Sequence, residues 1–131
     1  MKLILNATIC VIVFFLVSCE TNKLSNALEG VWVDSNSTSF SDCYILFCVN
    51  NDSVYISHFF KYNDKPYFEK GKGMIKNDTI IYHVDVVHQI PNWSSKSGTH
   101  TLTLDADKQT LRGTYKDNLG GVGPLVFKKI K

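Results

Sequence analysis

The segment from Ser53 to Ile75, SVYISHFFKYNDKPYFEKGKGMI, decides the fold class. In its first half apolar and polar residues alternate, so that Val54 and Ile56 fall on one face of an extended chain and Ser57 and Lys61 on the other. The residues NDKP then supply turn chemistry, and YFEKGKGMI follows as a second extended run. This order of strand, turn and strand predicts an antiparallel hairpin with one face in a core.

The same pattern continues along the chain beyond residue 29. The other β-rich runs are GVWVDS, CYILFCV, TIIYHVDVVHQI, THTLTLDAD, TLRGTYK and PLVFKKI, which makes eight candidate strands. Most are joined by two to five turn residues, so neighbours should pair antiparallel. Eight strands without helices predict an all-β, up-and-down antiparallel β-barrel, because closure removes both exposed edges. A two-sheet β-sandwich is the alternative.

The N-terminus has the form of a secretory signal. Lys2 precedes the apolar run TICVIVFFLV from Thr8 to Val17, and the small residue Ser18 follows. A membrane-spanning helix needs about 20 apolar residues, roughly twice the length of this run. The stretch therefore predicts a cleaved export signal, with an uncleaved segment as the alternative.

Leu16, Val17, Ser18 and Cys19 resemble the last four residues of a bacterial lipoprotein signal. The resemblance implies cleavage before Cys19 and acylation of that residue. Residues 1–18 are then the signal peptide, 19–27 the lipidated Cys and a polar tether, and 28–131 the barrel domain. Glu20 is not part of an acidic cluster like a surface-export tag. We therefore expect a cell-envelope protein on the outer membrane that faces the periplasm.

Two further short segments, at Asp52–Val54 and Asp78–Ile80, resemble the Asp-(Ser/Thr)-apolar site of O-glycosylation in secreted proteins of Bacteroidetes. Ser53 and Thr79 would be the acceptors. Asp-Ser and Asp-Thr also suit the exit from a turn, and we prefer that interpretation.

Charge and cysteine spacing exclude several classes of function. The 14 Lys and Arg nearly balance the 12 Asp and Glu, which gives no electrostatic reason for a nucleic-acid partner. Cys43 and Cys48 are five residues apart on one predicted strand, about 16 Å along it and on opposite faces. A disulfide needs Cα atoms within about 7 Å, so both should be free thiols without an evident catalytic base.

Gly30-Val31-Trp32, just after a possible helical turn, resembles the Gly-x-Trp motif that opens the first strand in the lipocalin-type superfamily. LDADKQTLRGTYK likewise resembles a strand–turn–strand segment of small lipocalin-like and avidin-like barrels. The resemblance implies a binding barrel in which Trp32 closes one end. Lipocalins pack an Arg near the chain end over that Trp, whereas Arg112 here lies one strand earlier.

The barrel interior is the candidate binding site. We expect His58 and His88 to point inward, and Trp93 in the loop PNWSSKSG either to cap the barrel end or to contact a partner. Large aromatic side chains favour a mostly filled interior over an open cavity. The inward aromatic set is Phe47, Phe60, Tyr62, Tyr82, Tyr115 and Phe127. The candidate ligand-binding residues are Trp32, His58, Tyr62, Tyr82, His88, Trp93 and Tyr115.

No catalytic residue, metal site or cofactor is predicted. Most Asp residues fall in turns, and we assign the mid-strand Glu69 and Asp85 to solvent-facing positions, which leaves no acid–base pair. His83 and Asp85 on one strand face are a weak signal for a metal site. A lipid-anchored, non-catalytic binding domain for a small apolar ligand or an envelope protein is the leading hypothesis. An inhibitor or immunity-type lipoprotein acting through a loop is the alternative, and a small hydrolase is a third.

Overall fold

The computed structural model, which describes residues 24–130, is a closed barrel of eight antiparallel strands connected in sequence order. Each strand pairs with the next, and β1 also pairs with β8, so the sheet has no free edge. The predicted β-barrel is therefore confirmed, and the alternative of a two-sheet β-sandwich is excluded. The strands are β1 (Gly30–Asp34), β2 (Phe40–Asn50), β3 (Ser53–Tyr62), β4 (Lys65–Lys76), β5 (Thr79–His88), β6 (Ser97–Leu104), β7 (Thr110–Asp117) and β8 (Val122–Lys129).

The alternation predicted for β3 is present. Val54, Ile56 and Phe60 are buried, whereas Tyr55 and Ser57 face solvent. The two-residue period of the strand thus divides the side chains between core and solvent as the sequence indicates.

The assignment of Glu69 to solvent is wrong. On β4, Tyr67 and Glu69 are buried and Lys70 is exposed, so the carboxylate points into the barrel. An ionised carboxylate is stable there only with close partners, and His58 on the paired strand β3 lies directly opposite in the ladder. The burial of Glu69 is the main departure from the sequence-based interpretation.

The inward placement of His88 is also wrong. In the ladder of β4 and β5, Glu69 pairs with Val86 and Phe68 with His88, which leaves Val87 as an extra residue. This β-bulge reverses the faces of the residues that follow it. Val84 is buried, but His88 is exposed on the outer surface.

One end of the barrel is closed by the N-terminal segment. Residues 24–28 form a short helix, and Leu28 and Trp32 are fully buried at this end. The Trp32 indole Nε1 donates a hydrogen bond of 2.8 Å to the Leu28 carbonyl, so the helix is fastened to β1. Trp32 therefore closes the barrel, as the Gly-x-Trp resemblance implies.

Lys129, near the end of the chain, lies over the ring of Trp32. Its Nζ is 5.4 Å from the centre of the Trp32 ring and donates a 2.6 Å hydrogen bond to the carbonyl of Ala27. A cation over an indole face is attractive, so the last strand supplies a favourable contact to Trp32. Arg112 instead pairs with Asp105 at the surface.

Cys43 is buried, Cys48 is exposed and both are free, as predicted from their spacing. Ser53 and Thr79 each begin a strand directly after a two-residue turn, in agreement with the preferred turn-exit interpretation. Within residues 24–130 no helix has the length and apolar character needed to span a membrane. Cys19 and the rest of the predicted signal lie outside the described residues.

Candidate functional site

The up-and-down order places four strand connections at the end opposite Trp32. These join β1 to β2, β3 to β4, β5 to β6 and β7 to β8, and we call this the open end. A cavity of about 170 Å³ leads inward from it. The residues that line this cavity are Asp34, Phe40, His58, Phe60, Tyr67, Glu69, Val84, Trp93, Ser95, Ser97, Gly98, His100, Tyr115, Asp117 and Leu125.

A cluster of five aromatic side chains surrounds the cavity entrance, and we call it the aromatic rim. The Phe60 ring stacks on Phe40 at 4.3 Å and on Tyr67 at 4.4 Å between centroids. Trp93, from the loop between β5 and β6, lies over this group, with its centroid 5.4 Å from Tyr62 and 5.8 Å from Tyr67. Trp93 therefore caps the barrel end, which was one of its two predicted roles.

Deeper in the cavity lie three buried titratable residues, His58, Glu69 and His100, which we call the polar floor. His58 Nδ1 is 2.8 Å from Glu69 Oε1, and the Tyr67 hydroxyl donates to Glu69 Oε2 at 3.0 Å. His100 Nε2 approaches Glu69 Oε1 to 3.7 Å, and its Nδ1 is hydrogen bonded to the Tyr82 hydroxyl at 3.1 Å. Strands β3, β4 and β6 each contribute one residue to this floor.

The electrostatics of the floor follow from its partners. Burial acts to raise the pKa of Glu69, but the hydrogen bond and charge of His58, with smaller contributions from His100 and Tyr67, hold that pKa below its ordinary value. Burial lowers the pKa of His100 to about 4, so its imidazole is neutral at pH 7. Burial, followed by the nearby charge of Glu69, raises the pKa of Tyr67 and that of Tyr82. The floor at neutral pH is thus an ionised carboxylate beside a neutral imidazole.

Cys43 also touches the floor, and this contact corrects the expectation that the thiols have no base. Its Sγ lies 3.4 Å from His58 Nε2, and His58 in turn contacts Glu69, which is the order of nucleophile, base and orienting carboxylate. Burial, together with the adjacent Asp34 carboxylate, raises the pKa of the Cys43 thiol. The thiol therefore stays protonated, and Cys43 does not line the cavity. These features do not favour a thiolate nucleophile.

The described residues offer no ready metal centre. Within residues 24–130 no three His, Cys, Asp or Glu side chains are placed to hold a metal ion. The nearest donors, His58 Nδ1 and Glu69 Oε1, are hydrogen bonded to each other.

The floor makes stability depend on pH, and His100 provides the test. Unfolded His100 titrates near its ordinary value of 6.5 and folded His100 near 4, so the unfolded state binds more protons between these values. The contribution of neutral His100 to the free energy of unfolding is fully present above about pH 6.5. It is lost as the pH falls toward 4 and amounts to at most about 3 kcal/mol. The free energy of unfolding measured across this range should therefore decline with acid.

Two variants separate His100 from the other acid-sensitive groups. His100→Gln removes the titrating group but can still bond the Tyr82 hydroxyl, and it should make the decline shallower. His88→Gln changes an exposed histidine that is not among the groups acting on His100, and it should leave the decline as it is in the unaltered protein. An equally steep decline in both variants would rule out His100 as the source.

The predicted ligand-binding residues are divided by the structure into three groups. His58, Trp93 and Tyr115 line the cavity. Tyr82 supports His100 from below, and Tyr62 packs against Trp93. Trp32 belongs to the closed end and His88 to the outer surface.

Two residues of the floor, Glu69 and His100, are absent from the sequence-based candidates. His100 shares the inward face of β6 with Leu102, so strand alternation was a usable signal for it. Glu69 lies two residues from Tyr67 on the inward face of β4, but its charge favoured the solvent assignment. Asp34 and Asp117, assigned to turns, do hold turns and also line the cavity.

Comparison with known proteins bears on the fold. No protein-family model matches the chain, and no curated protein matches it either. Among solved structures the chain is similar to a redesigned β-barrel, with a TM-score of 0.65 and 16% sequence identity, covering 82% of this chain and 96% of that one. The likeness agrees with the closed eight-stranded antiparallel β-barrel described above and concerns the fold alone.

Proposed function

We propose that this protein is a non-catalytic binding domain that takes a small, largely apolar ligand into the open end of its barrel. The observation that carries the proposal is the cavity of about 170 Å³, which has the aromatic rim at its entrance and the polar floor at its base. Binding sites of this kind combine apolar walls with a few convergent polar groups that fix orientation.

The size of the cavity bounds the ligand. A cavity of about 150 Å³ in another protein accepts a benzene molecule, so the volume here suits a single substituted ring or a branched aliphatic group. Phe40, Phe60 and Tyr67 pack as a stack of rings along the cavity and give such a group an apolar wall. The ligand is therefore expected to be small, in keeping with an eight-stranded barrel whose interior is largely filled by side chains.

The absence of a ready nucleophile supports binding over catalysis. The Cys43 thiol is kept protonated by burial and by Asp34, and it does not border the cavity. Glu69 and His58 are bonded to each other and do not stand apart as an acid and a base. These groups suit recognition of a polar ligand atom.

A lipid anchor at Cys19 would join the chain at the closed end of the barrel, opposite the cavity. The chain enters the barrel at the closed end through the helix at residues 24–28. Residues 19–23 can span at most about 18 Å, so acylation at Cys19 would hold the closed end near the membrane. The open end would then face the aqueous compartment of the cell envelope, which we expect to be the periplasm beside the outer membrane.

A second function, inhibition of another envelope protein through a loop, is favoured by one surface feature. Leu119 and Val122, at the connection between β7 and β8 on the open end, are 64% and 63% exposed. Two prominent apolar side chains beside the cavity entrance form a small apolar contact surface. Such a partner would cover the aromatic rim and compete with the small ligand.

Tryptophan fluorescence tests the proposed function, because the chain has two Trp residues, one at each end of the barrel. Titration with benzyl alcohol should change the emission of Trp93 and saturate. Trp93→Phe should abolish the change, while Trp32→Phe should preserve it. A saturable emission change that persists in Trp93→Phe, or no saturable change in the unaltered protein, would contradict the proposal.

A further inference from the structure

The lining of the cavity contains more acidic than basic side chains. Its lining includes the three carboxylates of Asp34, Glu69 and Asp117, and none of the described residues that line it is Lys or Arg. Four lysines adjoin lining residues in the chain. Lys70, Lys96 and Lys116 are exposed to solvent, and Lys61 pairs with Asp42. Even with both lining histidines protonated, the carboxylates would outnumber them. The interior therefore favours a positive ligand over a neutral or negative one.

The polar floor keeps hydrogen-bond acceptors free for a ligand. Glu69, only 4% exposed, accepts one hydrogen bond at each oxygen, and a carboxylate can accept about four. His100 Nε2 lies 3.7 Å from Glu69 Oε1 and makes no hydrogen bond within the described part of the chain. A ligand ammonium placed beside these two atoms can donate to the carboxylate oxygen of Glu69.

A second acceptor is available nearer the entrance. Asp117 uses Oδ1 to accept hydrogen bonds from the backbone amides of Leu119 and Gly121, which orders the connection between β7 and β8. Its Oδ2 makes no hydrogen bond to any residue in the range 24–130. The carboxylate is therefore held by its turn, and Asp117 is also one of the residues that line the cavity.

The aromatic rim supports the same ligand class independently of the carboxylates. Trp93 and Tyr67 line the cavity near its entrance, and the faces of aromatic rings attract cations. Aromatic rings backed by buried carboxylates are the arrangement by which proteins recognise organic ammonium groups.

From this combination we infer that the ligand is a small organic cation, an amine with a ring-sized apolar group, bound with its ammonium at Glu69 and His100 and its apolar part within the aromatic rim. This inference rests on the proposed function and adds the chemical class of the ligand to it. The cavity volume limits the molecule to about the size of a benzyl amine.

Three compounds of similar size but different charge test whether the cavity prefers a cation. Benzylamine, benzyl alcohol and benzoate are titrated into the purified protein at pH 7, with Trp93 emission as the readout. Benzylamine, protonated at this pH, should bind at least about tenfold more tightly than benzyl alcohol, and benzoate most weakly. High salt should reduce the preference for benzylamine only partly, since Glu69 is buried.

The outcomes distinguish the inference from the function on which it rests. If benzyl alcohol or benzoate binds as tightly as benzylamine, the cavity binds ligands but the inference about charge is overturned. If none of the three binds, the proposed function fails, and the inference fails with it.

A matched pair of variants tests whether the carboxylate of Glu69 causes the preference for benzylamine. Glu69→Gln keeps the shape of the buried side chain and should reduce the preference for benzylamine over benzyl alcohol about tenfold. Asp85→Asn removes a carboxylate from the outer face of β5, where the side chain is 71% exposed, and should leave the preference unchanged. An equal effect of both variants would assign the preference to the general field of the protein and overturn the site.

Discussion

Replacement of Glu69 with Leu is expected to lower the free energy of unfolding by about 3–5 kcal/mol. The substitution removes the acceptor of His58 Nδ1 and of the Tyr67 hydroxyl, both of which are buried. Leu has a similar volume but cannot accept a hydrogen bond, so these groups would remain desolvated and unpaired. Chemical denaturation at pH 7, with an unchanged dependence on denaturant concentration, measures the effect.

Glu69→Gln is the matched control for stability. Its carboxamide oxygen can still accept a hydrogen bond, so we expect a smaller loss of about 1–3 kcal/mol. A Leu variant as stable as the unaltered protein would show that the polar floor is dispensable for folding. It would also show that the hydrogen bonds of Glu69 to His58 and Tyr67 do not hold the carboxylate firmly in position.

The second large effect is expected at Cys19. Cys19→Ala should transfer the protein from the membrane fraction to the soluble fraction, because it removes the proposed site of acylation. The change is measured by lysing cells that express the protein and following it between the detergent and the aqueous phase. Cys48→Ala is the matched control, since it removes an exposed cysteine of the barrel and should leave the protein in the membrane fraction. Continued membrane association of Cys19→Ala would refute the anchor.

The architecture was predictable because most strands follow a two-residue period that the sequence displays directly. Val54, Ile56 and Phe60 are an example, since their alternation with polar residues indicates both the strand and its buried face. Short turns then leave antiparallel pairing as the simplest connection. The closing role of Trp32 followed from the Gly-x-Trp resemblance, because the motif has a fixed place in the barrel.

The site was less predictable, for reasons that differ from residue to residue. His88 has the right parity for the interior, but the bulge at Val87 reverses its face, and a bulge leaves no clear trace in a single sequence. Glu69 has inward parity on β4 and was assigned outward because charges are rarely buried. Its burial depends on His58 and Tyr67, and the contact with His58 joins two different strands.

Long-range contacts explain the remaining differences. Cys43 and His58 meet across the pairing of β2 with β3, and nothing near either residue in the sequence indicates the 3.4 Å contact. Lys129 reaches Trp32 only because β8 closes the barrel against β1. Such contacts depend on strand register, which hydrophobic alternation alone specifies incompletely.

A crystal structure of the protein grown with saturating benzylamine tests the central claim most directly. We predict the aromatic ring within the rim formed by Phe60, Tyr67 and Trp93, with the ammonium nitrogen about 3 Å from a carboxylate oxygen of Glu69. A ligand bound only on the outer face of the barrel, or a cavity that contains none at saturation, would contradict the account.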